Sequence, residues 1–134
     1  MNIGQASRHS GVSAKMIRHY EARGLVPGVQ RSEAGYRQYS DATVHTLRFI
    51  RRARELGFET REIDALLQLW RDGKRPSAQV KRIVQRHVTD LGRRIAALQS
   101  MQRTLERLAD CCHGDDRPDC PILDDLAGHA SAPT

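Results

Sequence analysis

The chain has 134 residues, of which 39% are hydrophobic and only 4% aromatic, and its net charge is +6. This length excludes two full hydrophobic cores, and the low aromatic content favours burial against a partner chain. Residues 1 to 75 hold 14 Lys and Arg against 8 Asp and Glu, whereas residues 110 to 134 hold 1 against 6. The basic amino-terminal part suits a polyanion such as nucleic acid. The amino terminus has no long apolar run, so we expect no signal peptide, no membrane anchor and a cytoplasmic location.

The first predicted element is a helix, a turn and a second helix. Residues 3 to 10 form a helix candidate that Gly11 interrupts, and Ser13 is a suitable N-cap for a second helix ending near Gly24. Such a pair can present its second helix to a DNA major groove, although short helical hairpins are also common in ordinary cores. The outward residues of the second helix are then Lys15, Arg18 and His19.

A hairpin is predicted next, in the stretch "RSEAGYRQYS" from Arg31 to Ser40, with its turn at Gly35. Basic and aromatic residues alternate along it. Guanidinium and phenol groups arranged in this way can bind phosphate oxygens, as a DNA-binding wing does, but a small surface hairpin has the same pattern. The residues concerned are Arg31, Tyr36, Arg37 and Tyr39.

Two amphipathic helices follow. The first begins at Asp41, and the second is predicted to be capped by Thr60 and ended by Gly73. The apolar stripe of the first consists of Val44, Leu47, Ile50 and Leu56. The core positions of the second are Ile63, Leu66, Leu67 and Trp70.

A long helix is predicted from Ser77 to about Asp110, with Pro76 suited to its first turn. Its apolar positions recur at alternating spacings of four and three, which is the seam of a coiled coil. A helix of roughly 50 Å has little of its own chain to pack against, so we expect a homodimer rather than a helix folded back on its own domain. If each chain of the dimer carries one DNA-binding unit, the two identical units imply a DNA site with two-fold symmetric halves. The seam consists of Val84, Val88, Leu91, Ile95, Leu98, Gln102, Leu105 and Ala109, with Met101 and Leu108 beside it.

All three cysteines lie in "DCCHGDDRPDC", at positions 110 to 120. Three thiols cannot all pair within one chain, and a reducing cytosol disfavours structural disulfides. Structural zinc needs four ligands. The available set would be Cys111, Cys112, Cys120 and either His113 or His129.

Two thiolates suit a soft monovalent ion better than zinc. Adjacent cysteines rarely bind one small ion well, because consecutive side chains diverge, whereas Cys112 and Cys120 can be aimed at one point by the loop between them. Soft thiolates select soft ions such as Cu(I). The predicted ligands are therefore Cys112 and Cys120, and Cys111 is interpreted as a small apolar residue at the helix end.

The first seventy positions resemble the amino-terminal winged-helix domain of the MerR family of transcriptional regulators. The motifs that carry the resemblance are "RHYEARGL" and "GYRQY", followed by "LRFIRRARELGFETREIDALL". The resemblance implies an antiparallel coiled-coil dimer. It puts Lys15, Arg18 and Tyr20 on the DNA-reading helix, where Tyr20 is equally suited to packing. It puts Arg31, Tyr36, Arg37 and Tyr39 on the wing.

The stretch "CHGDDRPDCPIL" resembles the metal-binding loop of the copper-efflux-regulator branch of that family, of the CueR and HmrR type. The resemblance implies that Cys112 and Cys120 hold Cu(I), Ag(I) or Au(I). Ser77 stands where the divalent-metal sensors of the family have Cys, and it is expected to approach the loop of the other subunit. His113 and Pro118 lie inside the loop, where they can tune the preference among the three ions.

The sequence thus predicts a mainly α chain with three parts: a winged helix-turn-helix DNA-binding domain at 1–75, an antiparallel coiled-coil dimerisation helix at 76–110, and a metal-binding loop and tail at 111–134. The expected function is activation of copper, silver or gold efflux or detoxification genes, by distortion of promoter DNA when a Cu(I)-type ion binds, so that RNA polymerase can engage. No catalytic constellation is visible, so we expect no enzyme. The alternatives are a thiol-redox-responsive regulator and a cytosolic metal-binding carrier.

Overall fold

The structure is a computed structural model that describes residues 1–27, 29–115 and 118–128. It divides into two compact units, Met1–Gln85 and Arg86–Thr134. The elements of the described part are α1 (Ile3–Ser10), α2 (Ala14–Ala22), β1 (Gln30–Arg31), β2 (Arg37–Gln38), α3 (Asp41–Glu55), α4 (Thr60–Arg71), α5 (Ser77–Cys111) and α6 (Pro121–Leu126).

Short polar side chains begin the first helices. The Asn2 side chain accepts a hydrogen bond from the Gln5 N–H of α1 at 2.8 Å, and the Ser13 hydroxyl accepts one from the Met16 N–H of α2 at 3.2 Å. Such caps satisfy amide groups that have no partner within the helix. Gly11 is the left-handed C-cap of α1. The predicted helix, turn and helix are confirmed, with the start and the end of α1 where the sequence put them.

The hairpin is a two-stranded antiparallel sheet in which Gln30 pairs with Gln38 and Arg31 pairs with Arg37. Its turn is closed by a hydrogen bond from the Gly35 N–H to the Ser32 carbonyl at 2.8 Å. Gly35 has a φ of 85°, which a residue with a Cβ rarely adopts. The turn predicted at Gly35 is confirmed.

The core of the first unit is formed by α1 to α4 together with Leu25 and Val26, which follow α2. Helix α3 packs against both α1 and α4. Arg48 of α3 donates from Nε and Nη2 to the His9 carbonyl of α1, at 3.0 and 2.8 Å. The predicted core positions Val44, Leu47, Ile50, Ile63, Leu66 and Leu67 are buried, as expected.

One residue of the predicted apolar stripe and one residue that we assigned to the core are exposed. Leu56 follows the last residue of α3 as its C-cap and is 49% exposed. Trp70 is 40% exposed, because its ring stacks on the half-buried Phe49 at a centroid distance of 4.7 Å instead of entering the core. The assignment of Trp70 to the core was therefore wrong, and the buried part of the stripe ends before Leu56.

The start of α4 differs from the prediction by one residue, whereas its end near Gly73 agrees with it. Its N-cap is Glu59, and Thr60 is the first helical residue. The Glu62 side chain accepts a hydrogen bond from the Glu59 N–H at 3.0 Å, which is one half of a capping box. The helix ends at Arg71, two residues before Gly73.

Helix α5 is continuous over 35 residues, as predicted. Its seam is largely exposed. Leu91 of the seam and Leu108 beside it are half-buried. The exposed apolar residues are Val84, Val88, Ile95, Leu98, Met101 and Leu105. No described helix is long and apolar enough to span a membrane.

The short helix α6 was not predicted, since positions 111–134 were interpreted as a loop and a tail. It begins at Pro121, which occupies its first turn. Proline suits that position because its missing N–H would have no helical acceptor there.

Candidate nucleic-acid interface and metal loop

Helix α2 has one basic face and one buried face. Lys15, Arg18 and His19 are exposed, whereas Ile17 and Tyr20 are buried. Its amino terminus carries the partial positive charge of a helix end. The exposed face therefore has the charge and the shape of a helix that can enter the major groove of DNA.

The hairpin presents the second set of predicted side chains. Arg31 and Arg37 face each other across the two strands, and Arg31 Nη1 donates to the Gly35 carbonyl at 3.2 Å. Tyr36 is 75% exposed at the turn. Two guanidinium groups and one phenol are thus available at one end of the hairpin.

A surface cavity of about 290 Å³ joins the hairpin to α2. Three guanidinium groups from different elements line one concave surface there, and charge-assisted hydrogen bonds to phosphate are among the strongest that such groups make. Five of the seven predicted DNA-binding residues meet at this cavity, while Lys15 and Tyr20 do not line it. Its lining is Asn2, Ile3, Arg18, Arg31, Gly35, Tyr36, Arg37 and Tyr39.

Tyr20 and Tyr39 belong to the hydrophobic core, with 2% and 1% of their surfaces exposed. Tyr20 follows the buried Ile17 by three residues and so lies on the same face of α2. The Tyr39 N–H donates to the Met1 carbonyl at 2.8 Å, which holds its backbone inward. Neither ring is therefore at the surface that carries the other predicted DNA-binding side chains.

Glu21 is a site residue that the sequence did not mark. Its Oε1 forms an ion pair with Arg37 Nε at 3.0 Å, and its Oε2 accepts a hydrogen bond from the Tyr39 hydroxyl at 3.2 Å. Burial, and next the negative charge of Glu21, raise the pKa of the Tyr39 phenol above its ordinary value of 10.0. The one signal available was a carboxylate placed among basic residues.

The three thiols lie at the end of α5 and in the segment that joins it to α6, and all are free. Cys111 is exposed as the last residue of α5, whereas Cys112 and Cys120 are half-buried. Gly114 turns the chain after Cys112 with a φ of 64°. Two free thiols at the ends of a short loop are a donor set that fits a soft ion.

A larger ligand set is not assembled in the described ranges 1–27, 29–115 and 118–128, which contain no group of three or more His, Cys, Asp or Glu that could hold a metal ion. His129, considered above as a zinc ligand, lies outside the described residues.

The remaining predicted residues of the metal loop are at the surface. Ser77 is the exposed first residue of α5, and His113 and Pro118 are exposed in the loop. Ser77 lines a surface cavity of about 600 Å³ together with Gly73, Arg75, Val80, Lys81 and Val84.

Two family models match the chain. One, described as MerR HTH family regulatory protein, covers residues 1–70, and the other, described as MerR, DNA binding, covers residues 44–108.

Similar proteins agree with both. The heavy metal-dependent transcription regulator 2 of Rhizobium meliloti (strain 1021) is 58% identical over 95% of this chain and 86% of its own length. The HTH-type transcriptional regulator CueR of Salmonella typhimurium is 43% identical over 96% of this chain and 93% of its own. The crystal structure of the transcription regulator PbrR691 from Ralstonia metallidurans CH34 with lead(II) is 29% identical, with a TM-score of 0.83 over 94% of this chain and 98% of that one. The chain therefore belongs to the MerR family, and it is a DNA-binding transcription regulator rather than an enzyme.

Proposed function

We propose that this protein is a metal-responsive activator of copper, silver or gold efflux or detoxification genes, and that Cys112 and Cys120 bind the inducing ion. The observation that carries the proposal is the pair of free, half-buried thiols at the two ends of one short loop. The name of the heavy metal-dependent relative supports it. Cys112 and Cys120 would hold the ion through their thiolates, and a soft Cu(I)-type ion would link the two residues.

Promoter recognition is divided between α2 and the hairpin. We infer that Lys15 and Arg18 reach base edges and phosphates in the major groove, and that Arg31, Tyr36 and Arg37 bind the sugar-phosphate backbone beside it. The exposure of all five side chains supports this assignment. Tyr20 and Tyr39 serve the same interface from within the core.

The protein acts as a cytoplasmic homodimer in this proposal, with α5 as an antiparallel coiled coil. The exposed apolar seam of α5 supports it, because contiguous apolar surface of this kind marks an interaction site. Two-fold symmetry then requires an operator with dyad halves. Ser77 of one subunit lies near the metal loop of the other, and RNA polymerase is the further partner.

Activation requires a difference in ion affinity between two states of the dimer. Bending and untwisting promoter DNA costs on the order of 1 to 6 kcal/mol. An ion can shift an equilibrium only by its differential affinity for the two states. At about 1.4 kcal/mol for each factor of ten, that difference is about fivefold at the low end and about 20,000-fold at the high end.

The test is a titration of the purified protein with Cu(I) and Au(I) against a competing chelator, with Zn(II) in parallel. We expect tight binding of the monovalent ions, loss of that binding in Cys112→Ser and in Cys120→Ser, and no loss in the matched control Cys111→Ser. A Cys112→Ser protein that still activates transcription normally with copper or gold refutes the proposal. A response to peroxide but not to copper favours the thiol-redox regulator, and metal binding without DNA binding favours the carrier.

A further inference from the structure

A single carboxylate lies in the first 32 residues of the chain, and it is on the helix that we propose to enter the DNA groove. Glu21 follows Arg18 by three residues on α2, whereas the same stretch carries five Lys and Arg. A negative charge beside a DNA interface repels phosphates. Because Glu21 is nevertheless present there, we expect it to make a favourable contribution to DNA binding that outweighs this repulsion.

Both carboxylate oxygens of Glu21 contact residues at the end of the hairpin. Oε1 forms the ion pair with Arg37 Nε at 3.0 Å, and Oε2 accepts the hydrogen bond from the Tyr39 hydroxyl at 3.2 Å. The Glu21 side chain is only 18% exposed, so water screens these contacts poorly. One side chain of α2 thereby holds two residues of the segment that follows the turn.

The geometry leaves Arg37 able to bind a second anion. Its ion pair with Glu21 is made through Nε, and the side chain remains 42% exposed. The terminal nitrogens of the guanidinium can therefore still donate to a phosphate. A guanidinium held in advance loses less conformational freedom when it binds, which favours affinity.

The same contact orders the rest of the hairpin. Arg37 pairs with Arg31 in the strand register, so fixing β2 also fixes the position of β1. Arg18 of α2 lines the same surface cavity as Arg37 and Tyr39. The cluster thus ties the exposed face of α2 to the exposed face of the hairpin.

We propose that Glu21 is a positioning residue for DNA binding, which holds Arg37 and Tyr39 so that the hairpin is ordered for phosphate contact before DNA arrives. This inference rests on the proposed role of Arg37 in DNA binding. It assigns Glu21 no contact with DNA itself.

The test measures binding of the full chain to a labelled, mixed-sequence DNA duplex by fluorescence anisotropy over a series of salt concentrations. Two explanations of Glu21 predict opposite signs for Glu21→Gln. If the charge alone matters, its removal relieves repulsion and binding tightens. If Glu21 positions Arg37, binding weakens severalfold and the slope of log K against log salt becomes shallower by up to about 0.9, the value of one phosphate contact.

Two further variants separate positioning from a loss of charge. Glu33→Gln removes the same charge from an exposed residue of the hairpin turn, and it is expected to bind as tightly as the wild type or tighter. In an Arg37→Ala background, Glu21→Gln is expected to cause no further weakening, because the residue through which it acts is gone.

The inference is overturned if Glu21→Gln binds as tightly as the wild type, or if it weakens binding equally with and without Arg37. An Arg37→Ala protein with unchanged affinity instead refutes the proposed phosphate contact, and the inference falls with it. Should Glu21→Gln fail to fold, Tyr39→Phe removes one of the two contacts by deleting a single oxygen atom. The same comparison is then made with and without Arg37.

Discussion

The exposed seam of α5 gives a prediction whose size follows from the structure. Leu98 lies at the centre of the seam and is 62% exposed. Burying a whole leucine side chain contributes about 1.5 to 3 kcal/mol, so covering the exposed part contributes about 0.9 to 1.9 kcal/mol in each copy. A symmetric dimer contains two copies of Leu98, so the total contribution of its burial to dimer stability is about 1.9 to 3.7 kcal/mol. Leu98→Ala is therefore expected to raise the dimer dissociation constant by about 20- to 400-fold.

Sedimentation equilibrium over a concentration series measures that constant directly. The control is Ser100→Ala, because position 100 is two residues further along the helix and so lies about 200° around it, away from the seam. We expect the control to dimerise like the wild type, with circular dichroism showing that both variants remain helical. A Leu98→Ala protein with an unchanged dissociation constant, or a wild-type chain that stays monomeric, would refute the assignment of this face to a dimer.

Other outcomes follow from burial and charge. Arg31→Ala is expected to weaken DNA binding for all sequences alike and to reduce the salt slope by about 0.9, as anisotropy would detect. Tyr20→Ala is expected to destabilise the fold by about 3 to 5 kcal/mol in urea unfolding, whereas Tyr36→Ala is expected to change stability by no more than about 0.5 kcal/mol and yet weaken DNA binding. Because the pKa of the Tyr39 phenol is raised, its contribution to stability is complete below its ordinary value of 10.0 and is lost as the pH rises above it. Unfolding across alkaline pH should show this loss in the wild type and much less of it in Tyr39→Phe.

Local signals explain why most of the fold could be predicted. Ser13 and Gly11 act through their own backbone neighbours, so their positions alone predict where a helix begins or ends. The continuous α5 follows from a long segment with one internal glycine and no internal proline. Helix α6 escaped prediction because six residues are too few to show a periodic pattern.

Features that depend on tertiary packing could not be predicted from local sequence in the same way. Periodicity put Trp70 on the core face of α4, but whether a large ring enters a core depends on the space its neighbours leave, and here Phe49 offers a flat surface outside it. Glu21 is a second case, since its two partners lie 16 and 18 residues further along the chain. The thiols are a third case: residue type, spacing and resemblance predict Cys112 and Cys120 as the donors, while a preference among copper, silver and gold would depend on contacts that no local pattern records.

The three tyrosines of the chain show that a family motif contains packing residues as well as surface residues. All three lie in the motifs that carry the resemblance, and all three were predicted to touch DNA, yet only Tyr36 is exposed. A helix or hairpin that binds DNA on one side must bury its other side, so a motif that specifies the whole element contains residues of both kinds. Tyr20 faces the core because of its spacing along the helix, and the Tyr39 hydroxyl donates its hydrogen bond to Glu21. The basic residues differ because a guanidinium is costly to bury without a partner, and so their presence in the same motifs predicts the surface that binds DNA more reliably than the aromatic residues do.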